Sequence, residues 1–371
     1  MNYHGDSLEY WMKREVVEAP EWSEPECYDP NNVSDRRGMY SRVVMGGAKV
    51  QRKVAAIAED LFEMKHPDQK NNQTARERFV EPISAEGDRY GKWYYFPWSN
   101  QLVQYPDREE HRLLLTFRNR ELITADELRK IGSATTAHIG LSVGSHILEQ
   151  TSHMALGDKV ILADPDVMSV PNLNRINAGM PEVGMRKTDV AGIRLSELNP
   201  YVKQVHLFDG ITSQNAEVVA RHHPDLIFEE VDHMPTKILM RKLAYRVGAA
   251  LIMATDTGDL TMIDVERYDL GDVKPFLGRL TTNEMMMIEE ANPSPEQTVR
   301  LIIKLIGLEN ISMRLAQSLG QIGITLGGIA QLGTTASTGA AYAAVAGREI
   351  LLKRGPTTGR YKVSPQEVLH L

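Results

Sequence analysis

Apolar and polar residues change rhythm near residue 121. From Thr124 onward, short continuous apolar runs at Ala134–Ile139, Val160–Ala163, Val205–Phe208, Leu226–Phe228 and Leu251–Ala254 alternate with stretches of helical period. The runs predict buried strands, and Gly144–Leu156, Lys187–Leu198, Ser213–Arg221 and Thr236–Arg246 predict the helices between them. Thr124-Ala125-Asp126-Glu127 has the form of a capping box opening a further short helix. Parallel neighbours need crossover connections, and crossovers of one hand give a doubly wound, mostly parallel sheet. The expected fold class is therefore α/β. Ligands in such sheets bind beyond the carboxyl ends of the strands, where Gly140, Asp164 and Asp232 would fall.

Residues 1–121 read as an α+β extension preceding a larger domain over 122–371. The extension opens with an acidic, proline-containing arm from Glu18 to Asn32. An amphipathic run from Val50 to Met64 follows, with Val54, Ile57, Ala58, Leu61 and Phe62 at helical spacing. Trp93-Tyr94-Tyr95-Phe96-Pro97-Trp98 predicts an aromatic strand, and Leu113–Phe117 a second strand. The aromatic run reads as a small satellite core, with a ligand platform as the alternative.

Composition narrows the classes. With 42% hydrophobic and 25% charged residues the chain is too apolar for disorder. A net charge of −7 without a Lys/Arg block argues against nucleic acid as a partner. The single cysteine, Cys27, excludes an internal disulfide and any zinc site built from several cysteines, which fits a cytoplasmic protein. Asp6, Glu9 and Glu15 break the basic-then-apolar order of a signal peptide. No charge occurs between Arg314 and Arg348, but Gly, Ala, Thr and Gln dominate there. A buried core helix with a glycine-rich approach is expected, and no membrane span.

The densest chemistry follows two predicted strands. One runs into Gly140-Leu141-Ser142-Val143-Gly144-Ser145. The next runs into Asp164-Pro165-Asp166 and on to Asn172-Leu173-Asn174-Arg175, with Val183-Gly184-Met185-Arg186-Lys187 beyond. Carboxylates suit a ribose, whereas Arg, Lys and backbone N–H groups suit a triphosphate. Both sets occur together, which predicts an ATP site. Against the pattern G-x-G-x-x-G, Gly140 is kept, Ser142 and Ser145 replace two glycines, and Gly144 is shifted by one. Small residues at Ser142 and Gly144 still admit backbone N–H groups to a phosphate, less closely than glycine would.

Other readings compete. Gly140–Gly144 also fits the G-x-S-x-G nucleophile elbow of hydrolases. A hydrolase has no use for the carboxylate at Asp164 or the Asn-Leu-Asn-Arg run, whereas Asp164 lies at the roughly 20-residue distance a ribose ligand requires. A nicotinamide- or flavin-linked oxidoreductase and a catalytically silent peptide-binding scaffold stay open. Singly, Asp164 and Asp232 could be helix caps, Asn172 a turn residue, and Arg175 and Lys187 surface charges. His138, His146 and His153 lack an apparent third ligand and read as interior or surface histidines.

The ordered series from about Arg118 to Leu352 resembles the E1-like superfamily of ATP-dependent adenylating enzymes, which includes ThiF, MoeB and the ubiquitin-activating enzymes. It comprises Phe117-Arg118-Asn119-Arg120-Glu121, the glycine turn, Asp164-Pro165-Asp166 with Asn172-Leu173-Asn174-Arg175, and Val183-Gly184-Met185-Arg186-Lys187. Leu198-Asn199-Pro200, Asp225–Asp232 and Gln331-Leu332-Gly333-Thr334-Thr335 complete it. The resemblance implies a Rossmann-like adenylating domain in which Asp164 holds the ribose. Asn172, Arg175 and Lys187 would surround the triphosphate, and Asp232 would organise Mg²⁺. Arg120 resembles an arginine that reaches a neighbouring subunit's nucleotide, which implies a homodimer.

Many members of that superfamily carry zinc-binding CxxC pairs and a thioester-forming cysteine. This chain has neither, so no zinc and no thioester transfer are expected. The zinc-free, cysteine-free members include enzymes that modify ribosomally made precursor peptides, as in the microcin C and pantocin pathways. The resemblance thus implies adenylation of a carboxylate on a peptide or small protein, with the extension gripping peptide.

Overall fold

The computed structural model describes residues 20–291 and 293–370. Asp6, Glu9, Glu15 and Glu18, used above, lie outside the described residues. Among the described residues the strands form two sheets. β1 (Glu26–Tyr28), β2 (Lys49–Gln51), β3 (Lys92–Phe96) and β4 (Gln101–Tyr105) make a small sheet in the order β1-β3-β4-β2. The larger sheet contains β5 (Thr135–Ile139), β6 (Lys159–Ala163), β7 (Lys203–Leu207), β8 (Leu226–Glu229) and β9 (Ala250–Thr257). It also contains β10 (Leu260–Arg267) and β11 (Gly359–Val363), in the order β11-β10-β9-β8-β5-β6-β7.

The five predicted strands are β5 to β9, and they pair in parallel. β9 runs further than its apolar core and turns back into β10, which pairs antiparallel with both β9 and β11. The order of connection reverses between β5 and β8, which opens a crevice at their carboxyl ends. Helices Val143–His153, Lys187–Leu198 and Gly333–Leu351 pack on one face of the sheet, with Ala216–Arg221 and Met234–Val247 on the other. The sheet is therefore doubly wound, as its alternating pattern predicted.

The uncharged stretch after Arg314 resolves into the helix Gly333–Leu351, whose Ala336, Ala340 and Ala343 are fully buried. Small residues let it lie close on the sheet: a Cβ at Gly347 would meet Phe228 Cζ at 2.9 Å. Among the described residues no helix is long and apolar enough to cross a membrane. The capping box forms, with Thr124 Oγ1 accepting from Glu127 N and Thr124 N donating to the Glu127 carboxylate.

Leu113–Phe117 is not a strand. Arg108–Leu115 is a helix entered from Pro106-Asp107, with Glu109 and Glu110 in its first turn, where the helix dipole favours anions. Leu114 and Phe117 pack on Val54, Leu61 and Met64 while Leu113 faces solvent, a helical period that three consecutive leucines conceal. The aromatic run alternates across β3 as a strand requires. Trp93 and Tyr95 join Ala48, Leu102 and Val50 in a satellite core. Tyr94 turns instead to Tyr105 and Tyr201 in edge-on contacts at 5.6 and 5.3 Å. On that side Tyr105 Oη donates to Glu197 O, Trp98 Nε1 to Glu197 Oε1, and His111 Nε2 meets Leu198 O at 2.9 Å. β4 and the helix Arg108–Leu115 thus meet the last carbonyls of the helix Lys187–Leu198, which have no partner within the helix.

A buried ion network supports the end of β8. Arg241 donates to Glu229 at 2.7 Å and to Glu266 at 3.0 Å, and its guanidinium lies 3.8 Å from the centre of the Phe276 ring. Lys237, Tyr268 Oη and Phe276 N complete the coordination of the two carboxylates. Replacing Arg241 by Met would leave two buried carboxylates short of their cation. Urea unfolding of Arg241→Met should show a loss of about 3–5 kcal/mol; a change below about 1 kcal/mol would show the network to be unimportant.

Candidate functional site

The site grows from β5. Its last residue is followed by Gly140, at φ +90°, where a Cβ would lie 2.5 Å from Glu230 O. Only glycine fits both the backbone angle and the close approach of β8. The chain then enters the helix Val143–His153, whose first N–H groups have no intrahelical partner and whose dipole favours an anion. Ser142 stands at the helix entrance.

One carboxylate ties the strand ends together. Asp164, at the tip of β6 and 4% exposed, accepts from Leu141 N at 2.6 Å and from Asp166 N at 2.8 Å. Burial pushes its carboxyl up, opposed first by the Lys187 ammonium and then by these backbone donors. Lys187 Nζ lies 3.9 Å from Asp164 Oδ1 and 2.7 Å from Asp166 Oδ2, so the two acids hold the cation at the crevice. A carboxylate has about four acceptor sites. Two backbone bonds leave room on Asp164 for hydroxyl donors.

Gly140, Ser142, Asp164, Asp166, Lys187 and Asp232 all line one cleft of about 710 Å³. Arg175 stands at its margin, with Nε donating to Ser142 Oγ at 3.2 Å and Nη1 to Pro171 O and Asn174 Oδ1. Burial opposes its charge, while Asp232 and Asp256 favour it. Asn172 turns inward on its own loop: its Oδ1 accepts from Ser169 N and Oγ, which is the turn role weighed above. Gly144 packs on Glu230, 3.5 Å from Cγ to an added Cβ. Arg120 is exposed and lines a different groove with Met64, Arg112 and Thr124.

Several lining groups escaped the sequence reading. The loop after β7 brings Asp209, Gly210 and Ile211 to the cleft. The signal was present, because β7 also ends at the ligand-binding edge of the sheet. Glu230 is the other. Its carboxyl accepts from Ala254 N at 2.6 Å, and burial raises it well above the usual carboxylate range, with Glu229 and Asp256 adding to the effect. Among the described residues no histidine bonds the Ser142 hydroxyl, which disfavours the nucleophile elbow. His138 is buried against Phe228 and pushed down to about 3 by burial, as an interior histidine would be. His146 meets Arg175 O.

The ThiF family pattern matches residues 117–354, which includes every strand of the cleft. The uncharacterized protein MT1398 of Mycobacterium tuberculosis is 29% identical over 282 residues, covering 75% of this chain and 38% of that protein. The tRNA threonylcarbamoyladenosine dehydratase of Bacillus subtilis is 25% identical over 158 residues, covering 42% of this chain and 61% of that protein. The chain therefore spans less than two thirds of the length of either relative. Among solved structures, PaaA aligns at 15% identity and a TM-score of 0.49, covering 70% of this chain and 80% of PaaA. E. coli MccB with MccA-N7isoASN aligns at 16% and 0.49, covering 80% and 77%. With its match extending over most of its length, from the Arg-rich lead-in before β5 through the helix that closes the sheet, this chain belongs to the ThiF family.

Proposed function

We propose that the chain is an ATP-dependent adenylating enzyme. It joins a carboxylate of a peptide or small protein to AMP and releases pyrophosphate, without a thioester step. The observation that carries this reading is the convergence of Asp164, Lys187 and Asp232 with the Gly140 turn in one cleft. Residues 122–371 form the adenylating part and residues 1–121 an extension that contacts substrate or subunit.

A carboxylate oxygen attacks the α-phosphorus, the bond to the β-phosphate breaks, and pyrophosphate leaves with the electron pair. Anion approaches anion, so the residues must offset repulsion. Lys187 supplies a point charge, Arg175 a forked donor, and the helix entrance at Ser142 backbone N–H groups. Asp164 and Asp166 serve the ribose end. Asp232 is the residue that would hold Mg²⁺, which needs one or two carboxylates beside phosphate oxygens, and its exposed position in the cleft suits that donor set. When bound, the ion neutralises charge on the leaving pyrophosphate. Cys27 sits on β1 of the small sheet, so no cysteine of this chain lines the cleft for acyl transfer.

An extended substrate is supported by the run that approaches the helix Gly333–Leu351. Ile322, Ile324, Ile329 and Leu332 are exposed there, and Asn174 Nδ2 donates to Gln331 O beside Arg175. An exposed apolar run held against the loop that carries Arg175 suits a peptide in a biosynthetic modification better than a small hydrophilic acid.

ATP–pyrophosphate exchange, measured with candidate peptides bearing a free carboxylate, should be abolished by Asp232→Ala. Arg175→Ala and Lys187→Ala should each lower it about 100-fold or more. Full turnover of Asp232→Ala would remove the assigned role. Arg120, remote from its own cleft, is proposed to serve the partner subunit of a homodimer. Mixing inactive Arg120→Ala with inactive Asp232→Ala should then restore about a quarter of wild-type exchange, one complete site in each mixed dimer. No recovery on mixing would place Arg120 outside the shared site.

A further inference from the structure

We infer that residues 20–24 form a strap across the helix Lys187–Leu198 that positions Lys187 for the nucleotide, with Trp22 and Glu21 as its positioning residues. The inference rests on the reading of the cleft as an ATP site.

The helix is keyed to β7 by a missing side chain. A Cβ at Gly192 would collide with His206 Cε1, so glycine admits the imidazole ring against the helix. Gln204 locks the joint: its Nε2 donates to Ser196 Oγ at 2.8 Å and to Gly192 O at 3.2 Å, and its Oε1 meets His206 Nε2 at 3.0 Å. Trp22 closes that joint from outside. Its indole lies on the His206 ring, with centroids 3.8 Å apart and planes 12° from parallel, and Nε1 donates to Ser196 Oγ at 3.0 Å. Burial, and then the Arg186 guanidinium, push His206 down to about 4, so the stacked ring is neutral.

Glu21, one residue earlier, reaches the opposite end of the same helix. Its Oε1 lies 3.2 Å from Arg186 Nη2. Arg186 Nε donates to Asp189 Oδ2 at 2.7 Å, and the guanidinium lies 4.1 Å from the centre of the Phe208 ring. The Arg186 backbone bridges to Val167, and Lys187 N donates to Asp166 O at 3.0 Å. Each of the two residues so joined is followed directly by a residue that lines the cleft: Arg186 by Lys187, and Phe208 by Asp209.

Lys187 carries its charge on a flexible stem, so the place where its helix begins decides which oxygens the ammonium reaches. It must stand 2.7 Å from Asp166 Oδ2 and still meet phosphate. A strap that holds both ends of the helix opposes sliding along the helix axis. Trp22 supplies most of the grip through its stack and buried-edge hydrogen bond, because the Glu21 carboxylate remains largely in water.

The test is a cycle of calorimetric Mg·ATP titrations on the full chain: wild type, Trp22→Ala, Lys187→Ala and the double variant. Trp22→Ala should weaken binding about fivefold more with Lys187 present than in the Lys187→Ala background. Trp22→Phe, which keeps a ring on His206, should recover most of that loss. A purely structural cost falls equally on both backgrounds and cancels in the ratio. A ratio of one would overturn the positioning role while leaving the nucleotide site intact. Failure of the wild type to bind Mg·ATP, or full binding by Asp164→Ala, would overturn the nucleotide reading and the strap's role with it. Should Trp22→Ala not fold, Trp22→Leu takes its place in the same cycle.

Discussion

A single carboxylate, Asp164, organises the carboxyl edge of the large sheet. It receives the N–H of Leu141 from the turn after β5 and that of Asp166 from its own loop, and it lies within reach of the Lys187 ammonium. Three segments far apart in sequence meet at that side chain. The arrangement costs desolvation, which is why burial raises the acid, and backbone donors and a lysine offset it. The cleft has its shape because these strand ends cannot separate without breaking charge-assisted bonds.

Buried charge recurs along the same edge. Glu229, Arg241 and Glu266 form a closed network under β8, in which two acids share one arginine. Glu230, one residue further, faces the other way and has no cation of its own, so burial favours its neutral form. The Asp256 carboxyl is buried opposite Thr261 of β10 and, among the described residues, has no ion pair. The network supports the strand ends, and the less satisfied acids lie around the cleft, where a ligand's charges would change their balance. Such graded satisfaction is a common mark of functional edges.

The small sheet contributes through contact with the helix that carries Lys187. Tyr105, Trp98 and His111 meet the last residues of that helix, and Tyr201 donates to Pro106 O. Aromatic side chains suit this boundary because an apolar ring can pack while a polar tip satisfies an orphan carbonyl. The segment before β1 adds a second contact: Trp22 stacks on His206 at 3.8 Å and donates to Ser196. The extension therefore braces β7 and the carboxyl end of the helix that Lys187 opens.

The sequence by itself determined the alternation of strand and helix, the parallel core, the capping box at Thr124 and the helix buried after Arg314. These follow from period, and period is local. It also marked Gly140, Ser142, Asp164, Asp166 and Asp232, because each sits a few residues beyond a strand whose end is legible, and Lys187 through the Val183–Lys187 motif. Tertiary structure decided what local pattern cannot. Leu113–Leu115 became the end of a helix because Leu114, with Phe117 just beyond, found a partner in the helix Val54–Lys65. Asn172 turned to its own loop, Arg120 was placed away from its own cleft, and Asp209, Glu230 and Asp256 were drawn into the neighbourhood of the site. Strand ends can be read from the chain, but which ends become neighbours is fixed by sheet order, and that order emerges only when the elements pack.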